Sequence, residues 1–262
     1  MNSNKGSLTI VGSGIKVISQ CTLEAQRAIE CADVVFVGTN DYLLVAWLKS
    51  INENILPLYD LYKPSRPRNE TYSLMTDKIL SAVRDGNDVC AVFYGHPGIF
   101  VSPSHPAISQ ALAEGYSARM LPGISAEDCL FADLGIDPAL RGCQSYEATD
   151  FFIHDRKPDL SAYLVLWQIG VFGDLKFLEC TADPKKLDLL KNQLMRYYAS
   201  DHSVCVYSAA VYEIVKPQMQ HLALENLTDA AISQESTLCI PPANESVQSK
   251  SQIELLRQTE SS

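Results

Sequence analysis

Along the first half of the chain, short apolar runs alternate with longer stretches in which apolar residues recur every three or four positions. Residues 8–11 form an apolar run ending in a glycine turn, residues 22–31 have helical spacing, and residues 34–37 are apolar again. That is the pattern of a strand, a helix and a second strand. It continues through the strand pattern of "ENILPLY", the helical "NETYSLMTDKILSAVRDG", the strand "VCAVFYG", the helical "HPAISQALAEG" and the strand "SARMLPG". Strands separated by helices in this order predict a mostly parallel sheet covered on both faces.

Beyond Pro122 the order loosens. In "SAEDCLFADLG", Ser125 stands as an N-cap with Asp128 three positions on, and Gly135 supplies a stop, so a helix is predicted between them. "IDPALRGC" reads as a linker. After it come the strand "YLVLWQIG", the helix "DPKKLDLLKNQLMRYYAS", the strand "HSVCVYSAA", a short "MQHLALENL" and a last strand "STLCIPP". The expected organisation is an N-terminal α/β domain over residues 1–122 with a mostly parallel sheet, and a C-terminal α/β domain over residues 123–243. A polar tail over residues 244–262 is expected to be frayed or a loosely docked helix.

Composition narrows the function classes. A chain of 262 residues with 47% apolar content can bury one large core or two modest ones. Its longest apolar stretches, "DYLLVAWL" and "AYLVLWQIGVF", are too short for a bilayer span, and the N-terminus lacks the basic, apolar, small-residue succession of an export signal. No membrane association and a cytoplasmic location are therefore expected. A net charge of −10 argues against wrapping nucleic acid and for a small molecule or neutral peptide as ligand. The eight cysteines, Cys21, Cys31, Cys90, Cys129, Cys143, Cys180, Cys205 and Cys239, stand singly with no CxxC pair, which predicts reduced, buried thiols.

Three loops follow predicted strands. "VGSGIKV" has two glycines of a dinucleotide fingerprint, but Val17 takes the third position and the next strand ends without a ribose-binding acid, so a nicotinamide site is not expected. "VFYGHPGIFVSPSH" places Gly95, Pro97 and Gly98 where open α/β sheets bind ligands; His96 within it is read as a hydrogen-bonding loop residue, because no second histidine lies at a metal-ligand spacing. "LPGISAED" puts Gly123 and Ser125 at a helix start, whose N–H groups suit a carboxylate or ribose contact as well as capping. Three such loops on one sheet predict a binding crevice along one edge.

A fourth segment, "LYDLYKPSRPRNETY", groups Tyr59, Tyr62 and Tyr72 with Arg66 and Arg68. Taken from the residues alone it is either a surface loop packed on the next helix or a site in which a guanidinium lowers a phenol's ordinary pKa of about 10.

In this order "VGSG", "YGHPG" and "PGISAED" resemble the tetrapyrrole methylases. "YDLY", "RNETY", "VFYGHPGIFVSPSH", "EGYSARMLPGISAEDCLFADLGIDPA", "YEATDF", "LVLWQIG" and "STLCIPP" are similar to one branch, the borosin peptide backbone α-N-methyltransferases, over roughly residues 6 to 243. The resemblance implies two α/β domains with S-adenosylmethionine (SAM) in the cleft between them, S-adenosylhomocysteine as product, and no metal. It implies a cofactor pocket of Tyr94, His96, Ile99, Ser125, Ala126, Gln168, Ala209, Ser236 and Thr237. Ser125 and Gln168 would make polar contacts, and Ile99 and Ala209 would form apolar walls.

It also implies iterative methylation of the backbone amides of a ribosomal precursor peptide. Fused members carry a Val/Ile-rich core peptide after the catalytic domain, and residues 244–262 hold nothing of that kind, so a separate precursor is expected. A homodimer, with two precursors in a heterotetramer, is implied as well.

An amide nitrogen is nearly non-basic because its lone pair is delocalised into the carbonyl. The roles that follow are Tyr72 or Tyr59 taking or relaying the N–H proton, Arg68 stabilising the phenolate and the imidate oxygen, and Tyr62 orienting the carbonyl. The motif arginine is the one four residues before the tyrosine of "RNETY", which selects Arg68 and leaves Arg66 as a solvated charge. The alternatives are a porphyrinoid C-methyltransferase, whose carboxylate-rich substrate would call for a more basic crevice, and a silent module that clasps a peptide with SAM in a structural role.

Overall fold

The computed structural model describes residues 6–63, 66–175 and 182–260. Contacts divide the chain into two compact units: among the described residues the first holds those up to Ile136, 174–175 and Ala209–Gln218, and the second holds Asp137–Gly173, 182–208 and those from Met219 on. The division expected at residue 122 falls inside the first unit, which takes in the helix after it; Cys129 of that helix meets Gln20 of the first loop at 3.5 Å.

In the first unit the elements are β1 (Ser7–Gly12), α1 (Leu23–Cys31), β2 (Val34–Val37), α2 (Tyr42–Ile51), β3 (Ile55–Pro57), α3 (Arg68–Arg84), β4 (Asp88–Phe93), α4 (Ser104–Ala113), β5 (Ser117–Met120) and α5 (Ala126–Leu134). The five strands form one parallel sheet in the order β3-β2-β4-β1-β5. Strand alternation sorts the core: Leu8, Ile10, Phe36, Val89, Ala91 and Phe93 face α3 and α4, whereas Val11, Val35, Val37, Cys90 and Val92 face α1 and α2. Pro57, Val37, Val92 and Val11 stand level across the sheet, so β3 ends at the same edge as the strands that carry the glycine loops. "ENILPLY" contributes only three strand residues, because Tyr59–Leu61 turn into a 3₁₀ helix.

The α5 signals act as read. Ser125 and Asp128 form a reciprocal capping box, and Gly135 ends the helix in the left-handed conformation with φ 64°.

In the second unit the elements are α6 (Pro138–Arg141), β6 (Cys143–Glu147), α7 (Ala148–Ile153), β7 (Tyr163–Trp167), α8 (Pro184–Leu194), β8 (Ser203–Ser208), β9 (Gln218–Ala223), β10 (Thr237–Ile240) and α9 (Lys250–Glu260). The sheet order is β6-β7-β10-β8-β9, with β6 parallel to β7 and β10 antiparallel to both β7 and β8. Its core is Phe151, Leu164, Leu166, Leu187, Leu190, Leu194, Val204, Val206, Leu238 and Ile240. The expected linker "IDPALRGC" folds as one helical turn capped by Asp137, and residues 244–262 include a regular helix.

Cys90, Cys129, Cys205 and Cys239 are buried, and burial pushes the Cys90 and Cys239 thiols up to about 12. Cys31 departs from the expected pattern by being exposed on α1, and Cys180 lies outside the described residues. No helix among the described residues is long and apolar enough to cross a membrane.

Candidate active site

At the carboxyl ends of β1, β4 and β5 the three glycine loops meet backbone to backbone. Gly14 N–H donates to the Gly95 carbonyl at 3.3 Å, and Gly95 N–H returns the bond to Gly14 at 3.0 Å. A Cβ on Gly12 would stand 2.0 Å from the Gly95 oxygen, and one on Gly123 would stand 2.9 Å from that same atom. Side chains at these positions would force the loops apart. Gln20 closes the first loop from within, its Oε1 accepting from the N–H groups of Ile15 at 3.0 Å and Lys16 at 2.8 Å.

The same loop receives the segment that carries Ala209. Val17 N–H donates to the Val211 carbonyl at 2.9 Å, and Tyr212 O–H donates at 2.5 Å to Asp41, the N-cap of α2. Ile18 and Phe100, in the loops after β1 and β4, hold left-handed backbone with φ 70° and 54°. Such geometry in a β-branched residue persists only where its surroundings impose it.

Of the residues expected to line a cofactor pocket, Tyr94 and Ile99 stand at this edge with 40% and 43% of their surfaces exposed, an apolar surface just beyond β4. His96 accepts the Gly98 N–H at Nδ1 over 3.0 Å, which assigns it the loop-bonding role and places the proton of the neutral ring on Nε2. Ser125 is buried, and its hydroxyl already donates to Asp128 at 2.7 Å and accepts from the Asp128 N–H at 3.2 Å. Capping is therefore its first task, and Ala126 begins the helix it caps.

In the second unit, Gln168, Ser236 and Thr237 gather at one end of that sheet, where β7 finishes and β10 starts. Gln168 is exposed in a left-handed conformation with φ 60°, and the next residue, Ile169, donates its N–H to the Ser236 carbonyl at 3.1 Å. Ser236 is buried in a serine cluster, its Oγ 3.1 Å from both Ser208 Oγ and Ser233 Oγ. Thr237 is buried and pairs with Tyr207.

The tyrosines form a continuous ridge. Ring centroids step 5.3 Å from Tyr59 to Tyr62, then 6.4 Å from Tyr62 to Tyr72, the second pair edge to face. Arg68 is the first residue of α3 and Tyr72 lies one turn on, which puts both on one helix face. Burial pushes the Tyr62 phenol well above its ordinary value, and a hydrogen bond with Tyr72 reinforces this; the Arg68 charge pulls the other way and loses. Tyr62, expected to orient a carbonyl by hydrogen bond, is thus no phenolate but is held as a neutral hydroxyl. Arg66 is likewise not a solvated charge: it is half-buried and donates Nη1 to the Leu61 carbonyl at 2.8 Å, holding the turn that presents Tyr62.

A cavity opens at each end of the ridge. One of about 440 Å³ lies between α3 and α4 and includes Tyr72, Asn69, Ser73 and Gln110. The other, about 150 Å³, includes Tyr59 and the ends of β2 and β3. Among the described residues no cluster of His, Cys, Asp or Glu could hold a metal ion.

Reading by residue type missed Gln20, whose loop contacts are local, and the pair of Asp41 and Tyr212, which are 171 positions apart in the chain. The "ND" before "YLLVAW" is an N-cap signal that points to Asp41 as the start of α2.

Residues 7–221 match the family model described as Tetrapyrrole (Corrin/Porphyrin) Methylases. A methyltransferase/ribosomally synthesized cyclic peptide gymnopeptides precursor of Gymnopus fusipes is 47% identical over 90% of this chain and 57% of its own length. The corresponding omphalotin A precursor of Omphalotus olearius is 42% identical over 97% of this chain and 61% of its own. The chain thus spans about three-fifths of these relatives. Among solved structures, uroporphyrin-III-C-methyltransferase from Thermus thermophilus superposes with a TM-score of 0.64 at 18% identity, covering 91% of this chain and 93% of its own, a likeness of fold.

Proposed function

The chain belongs to the tetrapyrrole methylase family and is a methyltransferase, and from that premise we propose that it methylates backbone amide nitrogens of a ribosomally made peptide, with SAM as donor. The observation that carries this reading is the ridge of Tyr59, Tyr62 and Tyr72 with Arg68 at its end, standing at the same sheet edge as the glycine loops. The Gymnopus and Omphalotus relatives, named as methyltransferases joined to peptide precursors, support the choice of acceptor.

The interlocked loops after β1, β4 and β5 suit a donor that must be held in line with its acceptor, and the exposed Tyr94 and Ile99 give it an apolar wall. Gln168, Ser236 and Thr237 are assigned to the same donor on the family resemblance. When bound, SAM supplies an activated methyl group. The chain's own residues manage charge on the acceptor: as an N–C bond forms, the amide N–H proton leaves through Tyr72 or Tyr59. Tyr62, a neutral hydroxyl hydrogen-bonded to Tyr72, favours Tyr72 for this step, because the bond between the two phenols holds the Tyr72 oxygen in place. Arg68 offsets the negative charge on the carbonyl oxygen and the phenol pair.

The relatives carry enzyme and precursor in one chain; a separate precursor makes the reaction intermolecular, and a homodimer acting in the cytoplasm completes the proposal. The test is intact-mass analysis of the protein with SAM and the precursor segment of the Gymnopus relative supplied as a separate peptide. Single-methyl increments mapped by fragmentation to backbone nitrogens support the reading. Arg68→Ala and Tyr72→Phe should lose transfer while binding SAM normally by calorimetry. An unmodified peptide, together with methylation of uroporphyrinogen, would transfer the assignment to a porphyrinoid acceptor.

A further inference from the structure

Two imidazoles hold one glycine of the loop after β4 from its two ends. His96 accepts the Gly98 N–H at Nδ1 over 3.0 Å, and His105 Nε2 stands 2.9 Å from the Gly98 carbonyl oxygen. A carbonyl oxygen only accepts, so His105 Nε2 carries a proton and donates it, while the neutral His96 ring keeps its own proton on Nε2. The Ile99 N–H closes the turn on the His96 carbonyl at 3.3 Å. Gly98 fits this slot without a side chain: a Cβ there would stand 2.7 Å from Met120 Sδ and 3.3 Å from His105 Nε2.

The two histidines differ in what anchors them. His96 rides on the loop itself, whereas His105 belongs to the first turn of α4, whose Ala107 and Ala111 share a buried cluster with Leu8, Ile10 and Ala91 of the sheet. The His105 bond therefore ties the turn to an element fixed by packing. It does so two residues before Phe100, whose left-handed φ of 54° persists only where its surroundings impose it. His105 is itself exposed, so exchanging its ring removes the bond with little loss of buried contact.

We propose that His105 is a positioning residue for the methyl donor: by holding the Gly98 carbonyl it keeps the Gly98 N–H on His96, and so fixes the direction in which His96 presents its Nε2–H and Ile99 its side chain. The inference rests on the reading that this loop holds SAM. His105 acts through His96 and Ile99 and touches neither SAM nor peptide. Loss of one ordinary hydrogen bond changes an equilibrium constant about fivefold, which is the weakening of SAM expected without it.

The test compares the whole protein with His105→Leu and His105→Gln by SAM calorimetry and by kinetics with the Gymnopus precursor peptide. His105→Leu should bind SAM about fivefold more weakly and raise the KM for SAM by a similar factor, leaving the KM for peptide unchanged. His105→Gln, which offers an amide N–H to the same carbonyl, should restore both values. A merely structural role would lower the melting temperature without separating the two KM values or responding to glutamine. Imidazole nitrogen NMR of the unchanged protein should show His96 bare at Nδ1 and His105 protonated at Nε2, a result that stands even if a variant folds poorly. Normal SAM affinity in His105→Leu, equal losses in the two variants, or a His105 bare at Nε2 would each overturn the positioning role. An unchanged protein that binds no SAM would instead overturn the reading of the loop on which the role rests.

Discussion

Replacing Gly12 by alanine tests whether the three glycine loops work as one assembly. The added Cβ would sit 2.0 Å from the Gly95 carbonyl oxygen, whereas ordinary contacts begin at 3.4 Å, so the β1 end and the β4 loop have to part by about 1.4 Å. Three backbone hydrogen bonds span that seam: Gly14 to Gly95, Gly95 to Gly14, and Ser13 N–H to the Phe93 carbonyl at 2.8 Å. At ~1 kcal/mol net for each, their loss destabilises the first unit by about 3 kcal/mol. For a chain of this size that lowers the melting temperature by roughly 6–12 °C. If even about 1.4 kcal/mol of this appears in the donor site, SAM binding weakens tenfold.

Gly135→Ala is the control. Its Cβ meets nothing within 4 Å, and its only penalty is the left-handed φ of 64°, about 1 kcal/mol. It should melt a few degrees lower and bind SAM as the unchanged protein does. Calorimetric melting and SAM titration on both variants decide the matter. A Gly12→Ala protein that matches Gly135→Ala in melting and binds SAM normally would refute the claim that these loops are held by mutual contact.

Ser125→Ala removes the hydroxyl half of the capping box, leaving the Ser125 N–H bond to Asp128 in place, and should cost about 1 kcal/mol of stability, visible in melting; Ser125→Thr should restore it, and a restored melt without restored SAM binding would show a separate donor contact. Tyr198 is buried, its hydroxyl meets no partner among the described residues, and burial pushes its phenol up to about 12. Tyr198→Phe should therefore match or exceed the unchanged protein in stability near neutral pH. Because the folded value lies above the ordinary one of about 10, the unfolded state ionises first, and stability falls as pH rises from there toward 12; urea midpoints across that window should decline less steeply in Tyr198→Phe. Among the thiols, Cys31 should react with a disulfide reagent in the native protein, while Cys90 and Cys239 should react only on unfolding, and rapid native labelling of either buried thiol would contradict their placement.

The first sheet was legible because its strands are buried on both faces and its helices are amphipathic, so every element left a periodic mark. The cap and stop of α5 were equally plain, since Ser125, Asp128 and Gly135 act on neighbours in the chain. The unit boundary was not: nothing in the "LPGISAED" turn tells that α5 belongs to the first unit or that Ala209–Gln218 returns to it. β6 and α7 were passed over because "CQSYEATDFFI" is short and mixed, and its pairing with β7 is a long-range choice. The tyrosine cluster could be picked out by residue type, but its electrostatics could not. Whether Arg68 or burial governs Tyr62 depends on how deep the ring sits, a property of packing.

The strand order has a consequence for how such a protein can change. The glycine loops hang from the inner strands and one flank of the sheet, braced by one another, while the tyrosine segment hangs from β3, a three-residue margin strand joined to the sheet through β2 alone. Residues 55–67 can therefore be rebuilt with few of the braced positions noticing. On the proposed function, a lineage could exchange one acceptor for another by remodelling this margin while inheriting the glycine loops unaltered, and a laboratory graft of the same segment would follow the same route.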